Sequence, residues 1–156
     1  MYNFISLESG YLQDSFNLFI TKPQNKSILE IIEYIEGSGI KVINIGKELS
    51  SKLKTIKNKR HIIIESNNLL NDIIQNNAGE IPNSKIKFIA IYNFGILLEP
   101  SIGLNASKVL KELSKNYAII LVWEHFIQDG NILHWGNQKE KYKFDFSDIS
   151  IKILDI

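Results

Sequence analysis

Two runs restrict the folds open to this chain more than any other feature: KIKFIAIYNF at 85–94 and YAIILVWEHF at 117–126. Each is apolar and β-branched without polar alternation, the pattern of a strand covered on both faces, as in parallel sheets flanked by helices. Between them LNASKVLKELSKN (104–116) places Val109, Leu110 and Leu113 on one helical face. Strand, helix, strand predicts a parallel pair joined by a crossover.

The first half carries the same alternation. NLFITK (17–22) is a short apolar run followed by a Pro-containing turn, and SILEIIEYIE (27–36) sets Ile28, Ile31, Ile32 and Ile35 at helical spacing. Gly37 and Gly39 supply residues able to end that helix in a left-handed conformation. KVINI (41–45) then resumes as a strand, closing a βαβ unit. GKELSSKLKTIKNKR (46–60) reads as a helix through Leu49, Leu53 and Ile56. HIIIES (61–66) fits either a strand or the buried start of the helix NNLLNDIIQNN (67–77). QDGN (128–131) is a turn signal before NILHWG, and ISIKILDI (149–156) alternates as a late strand. The expected fold is α/β: one domain over residues 1–156, in three layers, with a mostly parallel central sheet.

Composition narrows the function. Of 156 residues, 44% are hydrophobic and 22% charged, an ordinary globular balance that argues against wholesale disorder. The 18 basic and 17 acidic side chains nearly cancel, so only a local patch can serve nucleic acid or a membrane surface. Absence of cysteine removes disulfides, thiolate metal sites and thiol nucleophiles. MYNFISLESGYLQD carries acids and no basic leader, and no run approaches the ~20 apolar residues of a membrane span. A cytoplasmic protein with no membrane partner is expected.

The loop ITKPQNKS (20–27) carries the chemistry of greatest interest. A phosphate-binding loop is written G-x-x-x-x-G-K-[ST]; in that register Lys26 and Ser27 match, while Ile20 and Asn25 stand at the glycine positions. The glycines matter because they let consecutive backbone N–H groups converge on a phosphate at a helix N-terminus. Asn25 is the best non-glycine substitute, since Asn tolerates left-handed angles; Ile20 offers nothing equivalent. Thr21, Asn25, Lys26 and Ser27 are the candidate nucleotide contacts. A hydrolysing site also needs an acid after an apolar strand to hold Mg²⁺, and FIAIYNF ends in Tyr92 and Asn93 instead. Glu99 and Glu124 are the carboxylates placed to compensate, beside the plainer reading of each as a solvated group at a strand end. The expectation is no efficient NTPase and no resident cofactor, with ATP and Mg²⁺ the ligands if the loop retains function.

Other features carry less. Lys47, Lys52, Lys54, Lys57, Lys59 and Arg60, interrupted only by Glu48, suit either a solvated helix face or contact with DNA phosphates or an acidic partner. Arg60 is the sole arginine, hence the sole candidate arginine finger. His61, His125 and His134 lack the spaced carboxylates of a metal site, and no serine lies in a nucleophile elbow. Trp123 and Trp135 are expected to pack near the sheet end.

Residues 89–135 have a further cadence. Asn93 is followed by Ile96, Leu97, Leu98 and Pro100; the next helix ends in Leu113, Ser114, Lys115 and Asn116; the following strand carries Trp123. This pattern, with VINIGKELSSKL (42–53) and the order NLFI, loop, K-S, helix, resembles the BrxF family of small P-loop proteins from BREX phage-exclusion systems. The likeness covers most of the chain, from about residue 17 to 135. It implies a P-loop-NTPase-like fold, a role in anti-phage defence and larger partner proteins of the same system. The family's loop has the glycines and its second motif the aspartate, where this chain has Ile20, Asn25 and Tyr92. The resemblance therefore implies the defence context more than ATPase activity, acting by assembly while Lys26 and Ser27 keep at most weak phosphate contact. Homo-oligomers, an active NTPase using Asn25 and Glu124, and DNA contact through Lys52 to Arg60 stay open as alternatives.

Overall fold

The computed structural model describes residues 16–22, 25–56, 58–82, 84–136 and 142–156. Five strands, β1 (Leu18–Lys22), β2 (Val42–Asn44), β3 (Lys87–Tyr92), β4 (Tyr117–Val122) and β8 (Lys152–Asp155), pair in parallel in the order β2-β3-β4-β1-β8. Three short strands, β5 (Ile127–Gln128), β6 (Ile132–His134) and β7 (Lys143–Asp145), form a separate antiparallel sheet. The helices are α1 (Ile28–Gly37), α2 (Ile45–Leu53), α3 (Ile62–Asn77) and α4 (Ala106–Leu113).

Strand alternation sorts the core into two layers. Phe19, Phe88, Ala90, Ala118, Ile120 and Val122 face α1, where Ile31 and Ile35 are buried. Leu18, Ile20, Ile89, Ile91, Ile119 and Leu121 face the opposite way, onto Leu49 of α2, Leu70, Ile73 and Ile74 of α3, and Leu110 and Leu113 of α4. The expected α/β class, mostly parallel sheet and helices on both faces are all present. The β1-α1-β2 unit does not join neighbours: the crossover passes β4 and β3 to reach the far edge, and the chain returns on the other face. Right-handed crossovers require that change of face, because the direction of travel across the sheet reverses.

Several boundaries differ from expectation. β2 stops at Asn44 because the Asn44 side chain accepts from Lys47 N–H and caps α2, which takes in Ile45. α2 ends at Leu53, leaving Ile56 beyond it. HIIIES resolves into the last residue of a 3-10 turn and the start of α3, and Ile63 and Ile64 are 52% and 60% exposed rather than buried. Gly39 ends α1 at φ +85° as expected of it. QDGN closes the β5-β6 hairpin with Asp129 and Gly130 at φ +52° and +76°, the sign pattern of a type I′ turn. Among the described residues no helix is long and apolar enough to cross a membrane.

The antiparallel sheet packs on the same side as α4. Phe144 and Phe146 are fully buried there, and Phe94, Trp123 and Phe144 meet with ring centroids 5.0–5.6 Å apart. Trp135 lies against Gly95, where a Cβ would stand 2.6 Å from the indole. Both tryptophans thus pack at the strand ends.

Candidate functional site

β1 and β4 are neighbours whose onward connections leave to opposite faces, β1 to α1 and β4 to the hairpin. In open α/β sheets the carboxyl ends of such a pair form a crevice, the usual place for a ligand. Here the crevice has a volume of about 250 Å³ and is lined by Lys26, Ser27, Ile28, Ile31, Val122, Trp123 and Glu124. Two of the four candidate contacts therefore line it with the compensating carboxylate, Glu124.

The loop is tighter than its motif register implies. β1 continues through Lys22, with Thr21 opposite Val122 and Lys22 opposite Asp155, so Ile20, at the first glycine position, is a fully buried residue inside a strand. Thr21 is fully buried too, its hydroxyl 3.5 Å from the Leu121 carbonyl, and does not line the crevice. Pro23 and Gln24 lie outside the described residues. Asn25 stands at φ +59°, the left-handed conformation that its place in the motif demands.

Ser27 caps α1. Its Oγ accepts from Glu30 N–H at 3.3 Å, and its own N–H donates to Glu30 Oε2 at 2.6 Å. That reciprocal pair satisfies donors a phosphate would otherwise use, and places a carboxylate at the positive end of the helix dipole. Hydrogen bonding from Ser27, first from its backbone N–H and then from its side chain, holds the Glu30 carboxyl below its ordinary range. Lys26 is exposed with its ammonium 5.6 Å from the centre of the Tyr34 ring. Among the described side chains around the helix start, the Lys26 charge helps to lower the Glu30 pKa, and Glu124 lines the same crevice as Lys26. A phosphate at this helix start would meet the Glu30 carboxylate and find the Ser27 N–H already taken.

The second motif's position is also filled. Asn93 follows β3 at φ +51°, its Nδ2 donating to Asn44 Oδ1 at 2.9 Å and its carbonyl accepting from Gly46 N–H at 2.9 Å. This fastens the end of β3 to the start of α2. Tyr92 packs partly buried against the α1-facing core. Glu99 is exposed beyond the 3-10 turn Gly95–Leu98, away from the lining of the crevice.

The remaining residues scatter. Lys47, Lys52, Lys54 and Arg60 are exposed, and none forms an ion pair among the described residues; Lys57 and the Lys59 side chain lie outside them. Arg60 occupies a 3-10 turn before α3, its N–H bonded to Asn58 Oδ1. His125 meets the Trp123 ring edge-on at 5.3 Å, and His134 stacks on Phe126. Among the described residues no three His, Asp or Glu side chains converge as a metal site. Among the described lining side chains, Ser27 Oγ and Glu124 carry oxygen donors. A larger groove of about 620 Å³, between α3 and α4, holds none of the candidate nucleotide contacts.

Sequence reasoning missed Glu30, although S-x-x-E at 27–30 before an apolar helix is a capping-box signature. No protein-family model matches this chain, and neither the curated proteins nor the solved structures contain a significant match to it.

Proposed function

We propose that the chain is a non-hydrolysing, P-loop-like component of a bacterial anti-phage system of the BREX kind, acting by assembly with larger partner proteins. The observation that carries the degenerate reading is the Glu30 carboxylate on Ser27 N–H, at the point where a bound phosphate would sit. A second is Tyr92, packed partly buried on the α1-facing core where the magnesium-holding acid of an NTPase belongs, beside Asn93, whose carboxamide is spent on Asn44. The strand order supports the P-loop-like part, since β1 lies inside the sheet with its loop at the switch point. The defence context rests on the likeness of residues 17–135 to the BrxF family.

The test is thermal unfolding of wild type and Lys26→Ala with and without millimolar ATP and Mg²⁺, beside affinity isolation of the chain from cells expressing a complete BREX operon. The proposal expects no nucleotide shift in either protein and stoichiometric recovery of a larger product of that operon. A shift of several degrees in wild type alone, as when ligand exceeds its dissociation constant by ~100-fold, overturns the degenerate reading. Recovery of the chain alone overturns the assembly role. One arrangement favours a second reading, an active nucleotide site: Lys26, Ser27 and Glu124 share one crevice behind a left-handed Asn25.

A further inference from the structure

The antiparallel sheet has one face in the core and one in solvent, and register assigns every residue to a side. Ile127 pairs with Leu133 and Leu133 with Phe144, the inward row, packed on the core below. The next row outward is Phe126, His134 and Lys143: His134 N–H donates to the Phe126 carbonyl, and His134 stands opposite Lys143. These three side chains lie side by side across the sheet.

Phe126 is 66% exposed, the exposed large aromatic ring among the buried aromatics of this sheet. One of its faces is covered by the His134 imidazole, centroids 5.6 Å apart and planes 28° from parallel. The imidazole is fixed in turn by Gln128, whose Oε1 is 2.8 Å from Nε2. The residue is otherwise largely in solvent. Lys143 forms no ion pair within 4 Å among the described residues; the nearby Asp145 carboxylate accepts from the Ser147 N–H and hydroxyl at 2.9 and 2.6 Å, and those bonds first, then the Lys143 charge, hold it below its ordinary range. A flat exposed ring, backed by a fixed imidazole and flanked by an ammonium, is too small and too polar for a protein-docking patch of several hundred Å². It matches what single-stranded nucleic acid presents, a base with a π-face and a phosphate of opposite charge to Lys143.

We propose that this outward row is a stacking platform for single-stranded nucleic acid, Phe126 taking a base on its exposed ring and Lys143 a flanking phosphate. None of Phe126, His134 and Lys143 lines the β1/β4 crevice or belongs to the basic segment around α2.

Fluorescence anisotropy of a labelled oligothymidine strand with the full chain tests it. Phe126→Ala should weaken binding roughly five- to a hundred-fold, the range for loss of one base–aromatic stack, while Phe126→Tyr retains it. Lys143→Gln should weaken binding and flatten the dependence of log affinity on log salt by about 0.7, one phosphate contact on a single strand. Circular dichroism confirms that each exposed-residue variant is folded. Three results overturn the platform: no binding by wild type; binding unchanged in Phe126→Ala but abolished when Lys52, Lys54 and Arg60 are all changed to Gln; or thymidine monophosphate competing as well as the strand, which reduces the site to a lone nucleotide.

Discussion

Gly46 lies directly against Asn93: a Cβ at Gly46 would stand 2.9 Å from the Asn93 carbonyl oxygen and closer still to its carboxamide nitrogen. The carbonyl is backbone and already accepts from Gly46 N–H, so it has nowhere to go. Gly46→Ala should therefore destabilise the chain by about 1–3 kcal/mol despite the better helix propensity of alanine. Adding Asn93→Gly removes the carboxamide and suits φ +51°, so the double variant should recover at least about 0.5 kcal/mol. Urea unfolding of the four proteins measures the coupling; strict additivity would mean the two sites do not touch.

Two glycines at the end of α1 should respond oppositely. Gly37 is the last helical residue, and a Cβ there meets nothing within 4 Å, so Gly37→Ala should stabilise by up to about 1 kcal/mol. Gly39 has equal room but φ +85°, so Gly39→Ala should destabilise by roughly 1–2 kcal/mol. Melting temperatures should move apart, and a rise in both would remove the left-handed turn from the account.

The Ser27–Glu30 pair makes stability depend on acid. Glu30 titrates below its ordinary value of 4.5 because it accepts hydrogen bonds from Ser27. A carboxyl with a depressed folded pKa contributes stability that is complete above the unfolded value and lost as pH falls through the folded one. Between neutral pH and about pH 3, Glu30→Gln should lose less stability than wild type, measured by chemical unfolding at each pH. Ser27→Ala should cost about 1 kcal/mol at neutral pH. Glu30→Gln also frees the helix start of a negative charge, so inorganic tripolyphosphate should bind it more tightly than wild type in calorimetry.

Phe144 joins the small sheet to the large one. It is fully buried and contacts both Phe94 and Trp123. Phe144→Ala should cost about 3–5 kcal/mol and shift tryptophan emission to longer wavelength as Trp123 gains water. Loss of stability without a spectral change would mean that the hairpin detaches elsewhere.

The parts of the fold legible in sequence are those set by local pattern. β3 and β4 announce themselves because a strand covered on both faces has no polar positions, and Asp129–Gly130 because a type I′ turn needs two positive φ angles. Ser27 and Asn25 likewise follow from capping and left-handed tolerance. Strand order was not legible: nothing local in NLFITK says that its neighbours are β4 and β8 and not β2. β7 also escaped, because KFD is three residues long and acquires its pattern only from its pairing with β6. At the site, Thr21 read as a candidate contact because it falls within ITKPQNKS, whereas pairing with β4 and β8 holds it inside β1, where it is buried away from the crevice.

The place of β1 bears on the order of folding. Its partners are strands far along the chain; Thr21 and Leu121, which touch across the β1–β4 pair, are 100 residues apart in sequence. Closing so long a loop precedes any gain from pairing, so β1 joins the sheet late, after β2, β3 and β4 have gathered around nearer contacts. During synthesis the apolar strand LFITK emerges about 100 residues ahead of its β4 partner. The crevice between β1 and β4 is thus among the last features to form, and a chain stalled before that step would present a bare edge at β4 in its place.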